Sequence, residues 1–192
     1  MSPGRGARVR RAELSAAPDV GRYGDPGVMS LLDPLGSPPN PGAATVADLQ
    51  SMDGAQALAV MLFRDWFDGA EGRVRVGDVF AEAFGPAGGD VARDAWADLA
   101  ALLAGEVRRP VMRHSVTCRC VGADEAVVAQ VLTLAARGER EDAMLVLSLL
   151  VPGDRLLAAV QVAERAGIAL LRLTACWRRD HRAASAPARR LH

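Results

Sequence analysis

Apolar residues recur at helical spacing from Thr45 onward, and before it they do not. Thr45 precedes Val46, Leu49 and Met52, with Asp48 three positions on, a capping-box variant that predicts a helix start. The stripe continues through Leu58, Leu62 and Trp66, with Ala59 and Phe63 alongside. Asp53-Gly54 marks an interruption, and Gly69 and Gly72 end the segment. A shorter helix is predicted over 76–84, stopping at Gly85-Pro86. Asp90 caps a third, which carries Ala92, Trp96, Leu99 and Leu103 on one face and closes at Gly105. Phe63, Trp66, Phe80, Phe84 and Trp96 fall on these apolar faces, so they are expected to form core rather than an aromatic binding box.

The helical period breaks over 106–121. Pro110 disfavours helix, and Val116, Cys118 and Cys120 alternate with Thr117, Arg119 and Val121, a strand-like period of two. From Ala123 a helix resumes with Val127, Val131 and Leu134 on one face, and Gly138 ends it. The segment 139–151 reads as another helix. Glu139, Glu141 and Asp142 in its first turn complement the dipole, and its nearly all-apolar remainder predicts the central, most buried helix. After the turn at Pro152-Gly153-Asp154, Leu156, Leu157, Val160 and Ala163 drive a further helix, with Gly167 as its stop. Residues 168–176, with Leu171 and Leu173 on one face, favour a strand. The fold expected is mainly α: a small domain of about six helices, with a two-stranded β ribbon pairing 111–121 with 168–176.

Composition divides the chain into three zones. Residues 1–44 hold seven of the eleven prolines, interspersed with glycine and arginine, and lack the apolar periodicity to offset ordering entropy. They are expected to be a disordered arm, in which Met29 offers an alternative translation start. Residues 45–177 form the single helical domain, about 130 residues and enough for one core. Residues 178–192 are a flexible polar tail.

Half of the 192 residues are apolar and the formal net charge is zero, a globular composition. Every basic residue apart from histidine is Arg, and the chain has one Ile, one Asn and one Tyr. This bias against AT-rich codons points to a GC-rich bacterial genome. It lowers the weight of the arginines as phosphate-binding signals, and with the zero net charge it disfavours nucleic acid as a partner. No uninterrupted apolar run reaches the ~18 residues of a membrane span. Nor does an apolar segment follow Arg5, Arg8, Arg10 and Arg11, as a secretory signal would need. With an odd cysteine count, these features lead us to expect a cytoplasmic protein with reduced thiols.

One stretch carries reactive groups: His114, Cys118 and Cys120. In an extended strand both thiols would share a face with His114, and pairing with 168–176 would bring in Cys176, with His181 close behind it. Zinc accepts such a Cys₃His set, His114, Cys118, Cys120 and Cys176. The C-x-C spacing is nevertheless tighter than the C-x₂₋₄-C of structural zinc sites, and no second pair exists. A redox dithiol is the other reactive possibility. Extended C-x-C places the Cα atoms about 6.6–7 Å apart, at the edge of disulfide range, so bridging requires a turn. Against both stands simple packing, because free cysteine is among the most buried residue types.

Asp124 and Glu125, at a helix start, are read as complementing the dipole and the free amides. No phosphate-binding loop, dinucleotide fingerprint, zinc-protease motif or nucleophile elbow is present. The expected function is that of a non-enzymatic accessory protein acting on another protein through helix faces, with no evident small-molecule substrate and no cofactor. The alternative is a zinc-binding or thiol-redox regulator using His114, Cys118 and Cys120.

Overall fold

A computed structural model describes residues 40–185, so the expected behaviour of 1–39 and 186–192 lies outside the described residues. Asn40 and Asp48 each accept an amide two positions on, closing 3₁₀ turns at Pro41–Ala43 and Leu49–Ser51 around strand β1 (Thr45–Asp48). Asp53 accepts the Ala55 amide at 2.9 Å and caps helix α1 (Gly54–Phe67). The helical stripe therefore starts at the anticipated interruption, and the predicted cap at Thr45 opens a strand instead. Asp48 is used locally by the Gln50 amide and returns nothing to Thr45.

Helix α2 (Ala70–Gly105) is broken at Gly85, whose φ of 73° and ψ of 171° leave the helical region, and Pro86 restarts it. Its two arms bury Val76 and Phe80 on one side of the break and Ala92, Trp96, Leu99 and Leu103 on the other. Phe63, Phe80 and Trp96 are core; Phe84 and Trp66 pack against it half-buried.

Strand β2 (Cys120–Gly122) pairs antiparallel with β1, with Asp48 opposite Cys120 and Thr45 opposite Gly122. The ribbon exists, but its partner differs from the expected 168–176. Only 120–122 of the predicted 111–121 strand is extended in a ladder; the residues before it form an irregular loop with a turn at Ser115–Cys118. The period-two alternation over 116–121 was thus largely coincidental.

Helix α3 (Ala123–Ala136) follows directly, then α4 (Arg140–Leu147), a 3₁₀ turn at Gly153–Arg155, and α5 (Leu156–Ser185). The most buried helix is α3, against the expectation for 139–151. It packs on α1, α4 and α5 and buries Val128, Ala129, Val131, Leu132, Leu134 and Ala135. Helix α4 is two turns long and leaves Leu145 in solvent, as the turn after it leaves Leu149.

Residues 168–176 are helical because α5 runs through Gly167 without a break. A Cβ at Gly167 would run into the Leu132 carbonyl oxygen of α3, so this glycine permits close helix packing rather than ending a helix. The helix continues past Trp177 as far as Ser185. Among the described residues no helix is long and apolar enough to cross a membrane.

Candidate functional site

The loop 106–119 crosses the N-terminal end of α3 and is fastened there by two buried carboxylates. Glu125 is fully buried, and so is the Arg64 side chain that α1 sends to meet it. Arg64 Nε donates to Glu125 Oε1 at 2.7 Å and Nη2 to Oε2 at 2.8 Å, a two-pronged pair. The His114 amide donates to Oε1 at 2.9 Å and the Gly122 amide to Oε2 at 2.8 Å, while His114 Nδ1 lies 3.0 Å from Oε2. The bond to Gly122 is one half of a capping box; glycine has no side chain to complete it.

Burial alone would push the Glu125 carboxyl up. The Arg64 guanidinium and the Gly122 and His114 amides together outweigh it and hold the group below its ordinary value. The remaining Arg64 donors reach the loop backbone. Nη1 donates to the Cys118 carbonyl oxygen at 2.5 Å, and Nη2 to that of Cys120 at 2.6 Å.

Asp124 is clamped similarly. Arg109 donates through both terminal nitrogens, at 2.6 and 2.7 Å, and the Met112 amide adds a third bond at 2.9 Å. The Asp124 side chain raises the Arg109 guanidinium above its ordinary value through those bonds. Arg113 adds a tether to the Phe67 carbonyl at 2.8 Å. Among the described residues no buried side-chain nitrogen or oxygen is left unpaired.

Within this frame Cys118 and Cys120 are joined by a disulfide, their Cα atoms 5.5 Å apart. The turn at Ser115, where the Cys118 amide donates to the Ser115 carbonyl at 3.1 Å, shortens the span that an extended C-x-C would have. Both cysteines are half-buried, and Thr117 and Arg119 beside them are exposed. The Arg119 carbonyl accepts the Leu49 amide at 2.9 Å, and its side chain reaches Gln50 and Asp48. The disulfide-bearing peptide is therefore coupled to β1 and the turn that follows it.

The residues first singled out are only partly gathered. His114, Cys118 and Cys120 all sit around the Arg64–Glu125 pair. Cys176 is on α5 instead, its thiol 3.9 Å from the Ala83 carbonyl and 3.2 Å from Arg179 Nη2, and His181 lies further along the same helix. Cys176 would approach Cys118 only if 168–176 were the pairing strand. Among the described residues no three His, Cys, Asp or Glu side chains form a group able to hold a metal ion.

Asp124 and Glu125 do much more than complement a dipole, and Arg64 and Arg109 were not anticipated. Arg64 carried a usable signal: it lies four positions after Val60 and three before Phe67, on an apolar row of the helix, where a buried cation needs a counter-charge. No protein-family model, curated protein or solved structure matches the chain.

Proposed function

We propose that the chain is a non-enzymatic accessory protein whose partner-binding surface is set by the thiol–disulfide state of Cys118 and Cys120. The observation that carries this reading is the Cys118–Cys120 disulfide, with both of its carbonyls held by the one buried Arg64 guanidinium. A sequence separation of 2 makes the bridge a weak staple, since stabilisation by cross-linking grows with the loop closed. A bridge of little structural value in a half-exposed loop suits reversible exchange. In the cytoplasmic setting proposed for the chain, disulfides are usually transient and redox-sensing.

The exchange partner is a thiol reductant of the glutathione or dithiol class. Its thiolate attacks one sulfur and forms a mixed disulfide, which a second reductant thiol resolves. Two electrons and two protons pass to Cys118 and Cys120, and the reductant leaves as its disulfide. Once reduced, the Cys118–Cys120 span is free to lengthen toward the extended value of about 6.6–7 Å. Such lengthening displaces the Arg119 peptide, and with it the Leu49 amide and the Asp48 and Gln50 contacts.

The protein equilibrated in graded mixtures of reduced and oxidised glutathione, then alkylated and weighed, should show Cys118 and Cys120 titrating together as one two-electron couple. Amide exchange over 45–51 and 114–122 should rise on reduction while α3 and α5 stay protected. Thiols that remain reduced in oxidising mixtures, exchange that ignores the redox state, or stoichiometric zinc on the reduced Cys118, Cys120 and His114 would each overturn the reading.

A further inference from the structure

We infer a second, independent site: a groove for a small ligand bearing a diphosphate, between the C-terminal part of α5 and the adjoining ends of α1 and α3. The groove has a volume of about 430 Å³, within the range of small-molecule sites. Arg137, Arg178, Arg179 and Arg182 line it against a single acid, Asp53. Among the described residues the concavity thus holds three more cations than acids, a local concentration of positive charge on a chain with no net charge.

The arginines come from two elements. Arg178 and Arg182 lie one turn apart on α5, on the row that also brings Leu171 and Thr174 to the floor, and Arg137 caps the end of α3 opposite. Their existing commitments are slight. Arg178 is 3.9 Å from Asp53, and Arg179 donates to the Cys176 sulfur. Neither Arg137 nor Arg182 has an acidic partner among the described residues. Asp53 is already occupied in capping α1 through the Ala55 amide, and the positive end of that helix faces the same rim.

Guanidinium groups present planar pairs of donors suited to phosphoryl oxygens. A diphosphate brings about as many negative charges as the groove leaves uncompensated, whereas a single carboxylate or orthophosphate would satisfy only part of it. Ala55, Leu171 and Ala175 offer an apolar floor for an organic body attached to the phosphates. A short, half-open concavity on a chain with no net charge favours a small ligand over a nucleic-acid backbone, which needs an extended basic track.

Calorimetric titration of the full chain at low salt with pyrophosphate, adenosine diphosphate, orthophosphate and a short DNA duplex tests this. Pyrophosphate and adenosine diphosphate should bind one to one, and orthophosphate about tenfold or more weaker, for want of the second charged group. Arg137→Ala and Arg182→Ala should each weaken binding about tenfold, and the double variant should abolish it. Both side chains are exposed, so the melting temperature should not move. Arg165→Ala, which removes a surface arginine paired with Asp98, is the control and should bind as the parent does. Tighter binding of adenosine diphosphate than of pyrophosphate would place an organic body on the floor; equal binding would make the inorganic ion sufficient. The proposal fails if neither diphosphate saturates, if Arg165→Ala weakens binding as much as Arg182→Ala, or if only the duplex binds.

Discussion

Replacing Arg64 by Met would leave the Glu125 carboxylate buried with two amides and the His114 ring, but without its guanidinium. One-sided removal from such pairs costs about 3–5 kcal/mol, and urea unfolding should show a loss of that size. The double variant Arg64→Met/Glu125→Leu should recover only part of it: an apolar pair avoids desolvating two charges, but the His114 and Gly122 amides and the Cys118 and Cys120 carbonyls lose their partners. Recovery to the parent level would mean that the pair serves to position the loop rather than to stabilise the core. A second expectation follows from the lowered Glu125 group. A carboxyl whose folded value lies below its unfolded value, about 4.3, contributes stability above that value and loses it as pH falls through the folded one. Unfolding free energy should therefore decline below about pH 5, and Glu125→Gln should flatten that decline while lowering stability at neutral pH. A decline equally steep in Glu125→Gln would assign the acid sensitivity to other carboxylates. At this scale the chain was half legible. His114, Cys118 and Cys120 do mark the structured loop. The groups that organise it, Arg64 and Arg109, were hidden in a composition where every cation is arginine, and their partners are distant in sequence.

Among the elements, Gly167 shows how a local signal is overridden. A glycine between two apolar stretches reads as a helix stop, yet α5 passes through it because its Cα must approach the Leu132 carbonyl of α3. An alanine in an exposed helix interior gains about 1 kcal/mol over glycine, but overpacking a close contact costs about 1–3 kcal/mol. The second effect should win here. Gly167→Ala should lower the urea midpoint, and Gly167→Val should lower it further; a stabilised alanine variant would show that the α3–α5 contact yields freely. The same kind of override explains the ribbon. Residues 168–176 alternate well enough for a strand, but α5 buries Leu170 and Leu173 at helical spacing against the bundle, and β2 finds its partner in 45–48 instead. Breaks set by backbone chemistry were legible: Gly85-Pro86, Gly138 and the Pro152 turn fall where they were predicted. Which helix is central was not, because hydropathy along 139–151 does not reveal that the segment holds only two turns of helix, with Leu145 and Leu149 left in solvent.

For the molecule as a whole, a staple and a switch predict opposite responses to reduction. Cross-linking residues only 2 apart contributes, on the chain-entropy relation, less than about 2 kcal/mol, whereas a bridge closing a long loop would contribute twice that or more. Reduction, or the Cys118→Ser/Cys120→Ser variant, should therefore lower the melting temperature by less than about 8 °C, well short of the fall expected for Arg64→Met. The helical core does not depend on the bridge, since α1, α3 and α5 bury their apolar faces against one another irrespective of the loop. What should change is local. The loop is tied to the core through Arg64, Arg109 and Arg113, and to β1 through the Arg119 peptide. Reduction loosens the Arg119 tie and the Arg64 bonds to the Cys118 and Cys120 carbonyls but leaves those of Arg109 and Arg113, so opening should be confined to β1, its following turn and residues 114–122. Thermal melting and amide exchange on the same oxidised and reduced samples decide the matter. A small melting shift with selective exchange over 45–51 and 114–122 supports a redox-set surface on a rigid helical frame. A large melting shift with exchange rising throughout would make the disulfide a structural staple.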